Sequence, residues 1–214
     1  MLKVEKFDYN SFDDLAANTY VIYAESEAII IDPSQDYDGV ISYLDKHHLK
    51  LKAILLTHGH FDHFKGVERI VRKYPVPVYI HQEDEELLTN QNLNCSYYCG
   101  DNVTYEGEVK NVYDKEVLKI LPEDILVIHT PYHTMGSVCY YFKESGLLFS
   151  GDSLFKGSVG NTALPTSEPR LMKDSLNKLM SLPKETKVMP GHGGNTTIGV
   201  ECSFNRFLNE QALV

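Results

Sequence analysis

The stretch Thr57-His58-Gly59-His60-Phe61-Asp62-His63 puts three imidazoles and a carboxylate into one short loop. Such a cluster is costly unless something binds it. The residues just before it, Ala53-Ile54-Leu55-Leu56, form an apolar run bounded by polar residues. The run reads as a short buried strand, so the histidines emerge at its carboxyl end, where ligand sites form. In an extended segment alternate side chains share a face, so His58 and His60 reach one cation together while Gly59 adds no bulk. Asp62 and His63 point elsewhere. A helix from His63 to Lys73, with Phe64, Val67, Ile70 and Val71 on the helical repeat, would let both serve a second ion beside the first.

The same arrangement recurs along the chain. His133 follows the strand-like Ile125-Leu126-Val127-Ile128, Asp152 follows Gly146-Leu147-Leu148-Phe149, and His192 follows Lys187-Val188-Met189. Neutral imidazole and carboxylate are the donors that zinc, iron or manganese accept.

On these residues the chain resembles the metallo-β-lactamase-fold hydrolases, and within them the hydroxyacylglutathione hydrolase (glyoxalase II)-like group. The resemblance rests on T-H-G-H-F-D-H, H-T-P-Y-H-T-M-G-S, G-D-S-L-F and P-G-H-G-G-N-T-T-I-G, in the family's order and over nearly the whole chain. It implies an α/β fold, a four-layer αββα sandwich with a metal pair at one edge of two sheets. It also implies a ligand set of His58, His60 and His133 for one ion, Asp62, His63 and His192 for the other, and Asp152 bridging. The implied chemistry is hydrolysis of a thioester such as S-lactoylglutathione, or of a related small acyl ester, by a hydroxide generated between two divalent ions. Zinc is the first expectation for those ions, with iron or manganese next. Asp62 and Asp152 are the expected catalytic carboxylates. Two ions about 3.5–4 Å apart lower the pKa of a shared water toward 7, and a thiolate leaving group needs no strong acid because thiols have a pKa of about 8.5.

Composition fits one domain spanning residues 1–214, with no linker or break in composition. The formal net charge of -10 argues against a nucleic-acid surface. Two divalent cations would still leave the site about +1 after Asp62, Asp152 and a hydroxide, so an anionic small-molecule substrate is compatible with that charge. Residues 1–8 carry charges throughout and read as neither signal peptide nor membrane anchor, so a cytoplasmic protein is expected. Cys139 and Cys202 read as ordinary packing positions, and Cys95 and Cys99 as free thiols of a reducing compartment. His47, His48 and His81 read as surface or satisfied core residues, and His129 as a structural neighbour of the site.

Strands are predicted at Val4–Phe7, Thr19–Ala24, Ala28–Asp32 and Val78–Ile80, and helices near Tyr37–His48, Asp84–Thr89, Leu171–Met180 and Ile198–Gln211. The polar stretch 90–116 is expected to be a mobile or substrate-covering segment. Gly151, Gly191, Gly193 and Gly194 are expected to let backbone approach the ions.

Substrate selection is where the chain departs from its relatives. The segment Gly160-Asn161-Thr162-Ala163 stands where the group carries a basic residue, and after Phe207-Leu208 there is no room for the glutathione-holding helical domain. Tyr132 occupies a family glycine position, where its phenol would narrow the pocket or donate to an oxyanion; the steric role is preferred. Lys156 is a candidate replacement cation or a solvated surface lysine, and Asn161 a candidate substrate contact. A persulfide dioxygenase with one iron on His58, His133 and Asp152 is the alternative chemistry, disfavoured by the complete second ligand set. A non-catalytic metal-binding protein is the other alternative. Asp152 stands where the best-known antibiotic-destroying branch has cysteine, which disfavours that branch.

Overall fold

The computed structural model describes residues 2–8, 16–35 and 38–208. Its first sheet holds β1 (Lys3–Phe7), β2 (Thr19–Ala24), β3 (Glu27–Ile31), β4 (Lys50–Leu55), β5 (Val78–His81) and β6 (Val109–Val112), in that spatial order. The second holds β7 (Val117–Leu118), β8 (Ile125–His129), β9 (Val138–Phe142), β10 (Leu147–Gly151), β11 (Lys187–Pro190) and β12 (Thr196–Thr197), again as sequential neighbours. β3 through β6 pair in parallel, as do β10 and β11. The helices are α1 (Asp38–Lys46), α2 (Phe61–Phe64), α3 (Val67–Lys73), α4 (Met172–Met180) and α5 (Ile198–Phe204).

Strand alternation produces the layers. Ile29 and Ile31 of β3, with Ala53 and Leu55 of β4, join a core shared with Val127, Tyr140, Phe142 and Phe149 of the second sheet. Their sequence neighbours Ala28, Ile30 and Ile54 face the other way and pack with Val40 and Leu44 of α1 and Val67 and Ile70 of α3. On the far side, Cys139, Tyr141, Leu148 and Val188 meet Leu176 and Leu179 of α4 and Ile198 of α5. The result is helix, sheet, sheet, helix, the αββα sandwich of the metallo-β-lactamase fold. A slip of one residue in β3 would exchange its two apolar faces, so both cores fix the register. Burial of Leu176 and Leu179 stabilises the docking of α4 by about 1.5–3 kcal/mol each.

Several element boundaries differ from expectation for identifiable reasons. The helix predicted from His63 to Lys73 starts earlier, at Phe61, and breaks after Phe64. At the break the Gly66 amide donates to Pro33 O at 2.8 Å instead of closing a helical turn. The predicted helix at Asp84–Thr89 is a 3-10 helix, Gln82–Leu88. The last helix stops at Phe204, because Asn205 turns extended and its side chain donates to Ser158 O and Glu201 Oε2. The expected end of that helix at Gln211 lies outside the described residues, as does Tyr37. The stretch 90–116 contains a 3-10 turn, Tyr97–Cys99, and the unexpected strand β6.

Buried tyrosines tie the strand ends down. Tyr20 Oη donates to Pro190 O at 2.7 Å and Tyr140 Oη to Leu56 O at 2.9 Å. Satisfied in this way, two large side chains in the inter-sheet core also hold the exits of β11 and β4. The loops after β3, β4, β8, β10 and β11 meet at one edge of the sandwich.

Candidate metal centre

The loop leaving β4 stays extended through His60 (φ -75, ψ 143) and becomes helical at Phe61. His58 and His60 therefore project together, and Asp62 and His63 lie on the first turn of α2. His60 Nδ1 lies 3.1 Å from His58 Nε2 and 3.0 Å from His133 Nε2. The outer nitrogens assign the tautomers. Thr57 Oγ1 donates to Asp32 Oδ2 at 2.7 Å, so it accepts from His58 Nδ1 at 3.2 Å; His133 Nδ1 donates to Asn161 O at 2.8 Å. The Nε2 atoms of His58 and His133 thus turn lone pairs toward His60 Nδ1. A proton on His60 Nδ1 can serve only one of these two lone pairs well, so the three nitrogens form a cradle for a cation.

A second group lies beside the first. His63 Nδ1 donates to Asp32 Oδ2 at 2.9 Å, which aims Nε2 at Asp62 Oδ2 (3.6 Å) and Asp152 Oδ1 (3.3 Å). His192 Nε2 is 3.1 Å from Asp62 Oδ2 and 3.7 Å from Asp152 Oδ1. The other oxygen of Asp152 lies 3.4 Å from His133 Nε2, so this carboxylate spans the two groups. Three sets have their ligand atoms within 4.8 Å of one another: His58, His60 and His133; His58, His63 and Asp152; Asp62, His63 and His192. All seven residues singled out in the sequence come together.

Electrostatics separate the halves. Burial, reinforced by the neighbouring imidazoles, pushes His58 well below the usual histidine range and His60 down to about 3. Burial also opposes charge on His63 and His192, but Asp62 and Asp152 outweigh it and hold both imidazoles above their ordinary value, with Asp32 adding to the effect on His63. For Asp62 and Asp152 burial works upward, and the charges of His63 and His192 overcome it, keeping both carboxyls low.

Two supporting carboxylates escaped the sequence reading. Asp32, at the end of β3, accepts from Thr57 N, Thr57 Oγ1 and His63 Nδ1. It follows an apolar run just as the other strand-end ligands do, and that signal could have flagged it. Asp84 is fully buried and accepts from Gly59 N at 2.8 Å, Thr134 Oγ1 at 2.6 Å and Gly136 N at 2.7 Å. It joins the His58–His60 loop to the loop bearing His133. Nothing in Gln82-Glu83-Asp84-Glu85-Glu86 sets it apart from its acidic neighbours. Gly59 and Gly136 are required beside it, because a Cβ at either would sit 2.6 Å from Leu87 Cβ or Asp84 Cγ respectively.

Two proposed substrate contacts are displaced. Tyr132 is completely buried and does not border the cleft; its hydroxyl donates to the backbone carbonyls of Asp152 (3.2 Å) and Ser153 (2.5 Å) and accepts from Gly160 N at 3.2 Å. A phenol engaged on all sides can neither narrow the pocket nor reach an oxyanion. Lys156 is exposed and borders a separate hollow with Lys187, Asn195 and Thr197, so it supplies no cation to the cleft. Asn161 does border the cleft, and its carbonyl holds His133. His129 stacks on His81 at 4.1 Å and bonds Met135 O, outside the cluster. His47 and His48 are exposed. Gly151 and Gly191 pack against Thr57 and Asp152 as the loops converge, whereas Gly193 and Gly194 have open space where a Cβ would stand. The four cysteines are free thiols, and Cys95 and Cys99 border the cleft, whose volume is about 400 Å³. Among the described residues no helix is long and apolar enough to cross a membrane.

Comparison with known proteins agrees with this geometry. The chain is 35% identical over 197 residues to "Probable metallo-hydrolase YqgX" of Bacillus subtilis, covering 91% of this chain and 93% of that one. It is 30% identical over 191 residues to "Hydroxyacylglutathione hydrolase GloC" of Haemophilus influenzae, covering 88% and 90%. Among solved structures, BLEG-1 B3 metallo-beta-lactamase superposes with a TM-score of 0.90 at 36% identity, over 97% of this chain and 100% of that one. TTHA1623 in a di-iron-bound form gives 0.83 at 36% identity, over 90% and 95%. The Metallo-beta-lactamase superfamily profile matches residues 12–192, and this chain belongs to that superfamily.

Proposed function

We propose that the protein is a dinuclear metal-dependent hydrolase that cleaves a thioester or a related small acyl ester. The observation that carries this reading is the convergence of seven histidine and aspartate side chains in three overlapping sets, each with its ligand atoms within 4.8 Å of one another, with His63 Nε2 and Asp152 Oδ1 buried at the junction of the two groups. Buried polar atoms are paired as a rule, and a bound cation satisfies these two. His58, His60 and His133 would hold one ion, Asp62, His63 and His192 the second, with Asp152 serving both. The mixed nitrogen and oxygen donors suit zinc first, and iron or manganese after it.

When bound, such a pair supplies Lewis acidity and brings the pKa of water toward 7. The protein's own groups do the rest. Asp62 and Asp152 would orient the attacking water at the junction of the two groups, and one of them would accept its proton. Asp32 and Asn161 O lock the tautomers of His63 and His133 so that their acceptor nitrogens face inward. The net reaction forms a C–O bond and breaks a C–S bond, giving a carboxylate, a thiol and one proton.

The relative named hydroxyacylglutathione hydrolase supports the thioester class. Likeness to a B3 metallo-beta-lactamase favours, as a second reading, hydrolysis of a strained cyclic amide by the same groups. Steady-state hydrolysis of a thioester and a β-lactam by metal-loaded protein and by Asp152→Ala tests both. The parent should prefer the thioester, and the variant should lose about 10²–10³ in kcat/KM, as removal of several kcal/mol of stabilisation implies. Equal rates for parent and variant contradict the proposed role of Asp152.

A further inference from the structure

We infer that the cleft over the cluster is built for an uncharged, apolar acyl thioester rather than a charged peptide conjugate, a reading that deepens the proposed hydrolase function and rests on it. Apart from the ligand residues, the cleft is walled by Phe61, Phe155, Leu164, Cys95, Cys99 and Asn161. Phe155 stands edge-on to His192, with ring centroids 6.0 Å apart, so an apolar face borders the ligand group directly. Five of these six walls offer ring, alkyl or thiol surface, and the sixth is a neutral amide.

No lysine or arginine borders the cleft among the described residues. The segments at 9–15, 36–37 and 209–214 contain none in their sequence. Nearby cations are committed elsewhere: Lys65 pairs with Asp101 at 2.8 Å, and Lys156 lines the other hollow. A glutathione moiety brings two carboxylates, and a site selecting it needs charged donors for them, each worth more than a neutral contact. An aliphatic acyl chain instead gains by leaving water against Phe61, Phe155 and Leu164. Tyr97 and Tyr98, on the same 3-10 turn as Cys99, are 62% and 65% exposed and extend apolar surface from that turn.

Cys99 offers a readout independent of turnover, since it is exposed and borders the cleft. The metal-loaded protein would be given S-butanoyl-N-acetylcysteamine and S-lactoylglutathione as substrates. In parallel, maleimide labelling of Cys99 would be followed by mass spectrometry in the presence of S-butyl-N-acetylcysteamine or S-methylglutathione, neither of which can be hydrolysed. The expected result is at least a tenfold higher kcat/KM for the neutral thioester and slower labelling with the neutral thioether alone. Leu164→Arg should shift the ratio toward the glutathione thioester by about tenfold, the size of one charged hydrogen bond. Equal or better turnover of S-lactoylglutathione, or equal protection by S-methylglutathione, would overturn the inference while leaving the hydrolase reading intact. Protection by the neutral thioether without hydrolysis of either substrate would uphold the apolar cleft and sink the hydrolase reading. Neither protection nor hydrolysis would sink both.

Discussion

The two halves of the metal centre are built from similar side chains and behave oppositely toward protons. His58, His60 and His133 are all buried, and burial together with mutual repulsion keeps His58 and His60 neutral well into acid. Asp62, His63 and His192 form a more open group, with His192 34% exposed, in which carboxylates hold the imidazoles protonated. His58 and His60 are biased toward the neutral form, His63 and His192 toward the protonated one. The difference comes from where the carboxylates sit, since each of the second group's histidines lies within 4 Å of two or more.

The largest consequence concerns metal uptake. His63 and His192 are held above their ordinary value by the carboxylates, so a cation entering that group displaces protons at pH values where His58 and His60 are already neutral. Affinity at the second group should rise by up to about a hundredfold per pH unit below those raised values, the slope for two protons, whereas His58 and His60, held low by burial, contribute little to the slope at the first. Calorimetry in two buffers of different ionisation enthalpy counts the protons released with each ion. Equal counts for the two ions would erase the contrast. The sign for stability follows from the same shifts: protonated His63 and His192 stabilise the metal-free fold fully below the ordinary imidazole value of about 6.5, and that contribution is lost as pH rises through their raised values.

A smaller effect is expected from Tyr132→Phe, which sharpens the comparison because Tyr132 serves both halves. Its hydroxyl supports the backbone of Asp152 and Ser153 and the Gly160 amide. Removing it leaves buried backbone groups short of a partner and should cost about 1–3 kcal/mol, read as a lowered Tm. Binding of both ions should weaken together, and the range of thioesters accepted should stay the same. A broadened substrate range with an unchanged Tm would restore Tyr132 as a pocket wall.

Much of this was legible in the sequence, for a physical reason. A ligand site at the carboxyl ends of strands leaves a repeated signature, an apolar run ending in histidine or aspartate, and His58, His133, Asp152 and His192 all carry it. Asp32 carries it too and was passed over. The four layers came from the resemblance carried by the ligand motifs; the run Ala53-Ile54-Leu55-Leu56 by itself indicates a short strand buried on both faces. What stayed hidden depends on tertiary partners. The break at Gly66 follows from an amide given to Pro33 O, the role of Asp84 from three donors distant in sequence, and the burial of Tyr132 from carbonyls on another loop. Side chains that border a cleft, such as Phe155 and Leu164, have no local signature.

The most direct test is elemental analysis of the purified protein combined with stepwise metal replacement of the chelated form. Two divalent ions per chain are expected, with thioester hydrolysis lost on chelation and recovered fully only on addition of the second equivalent. A single iron per chain with oxygen uptake in place of hydrolysis, or full turnover after exhaustive chelation, would contradict a two-ion hydrolase.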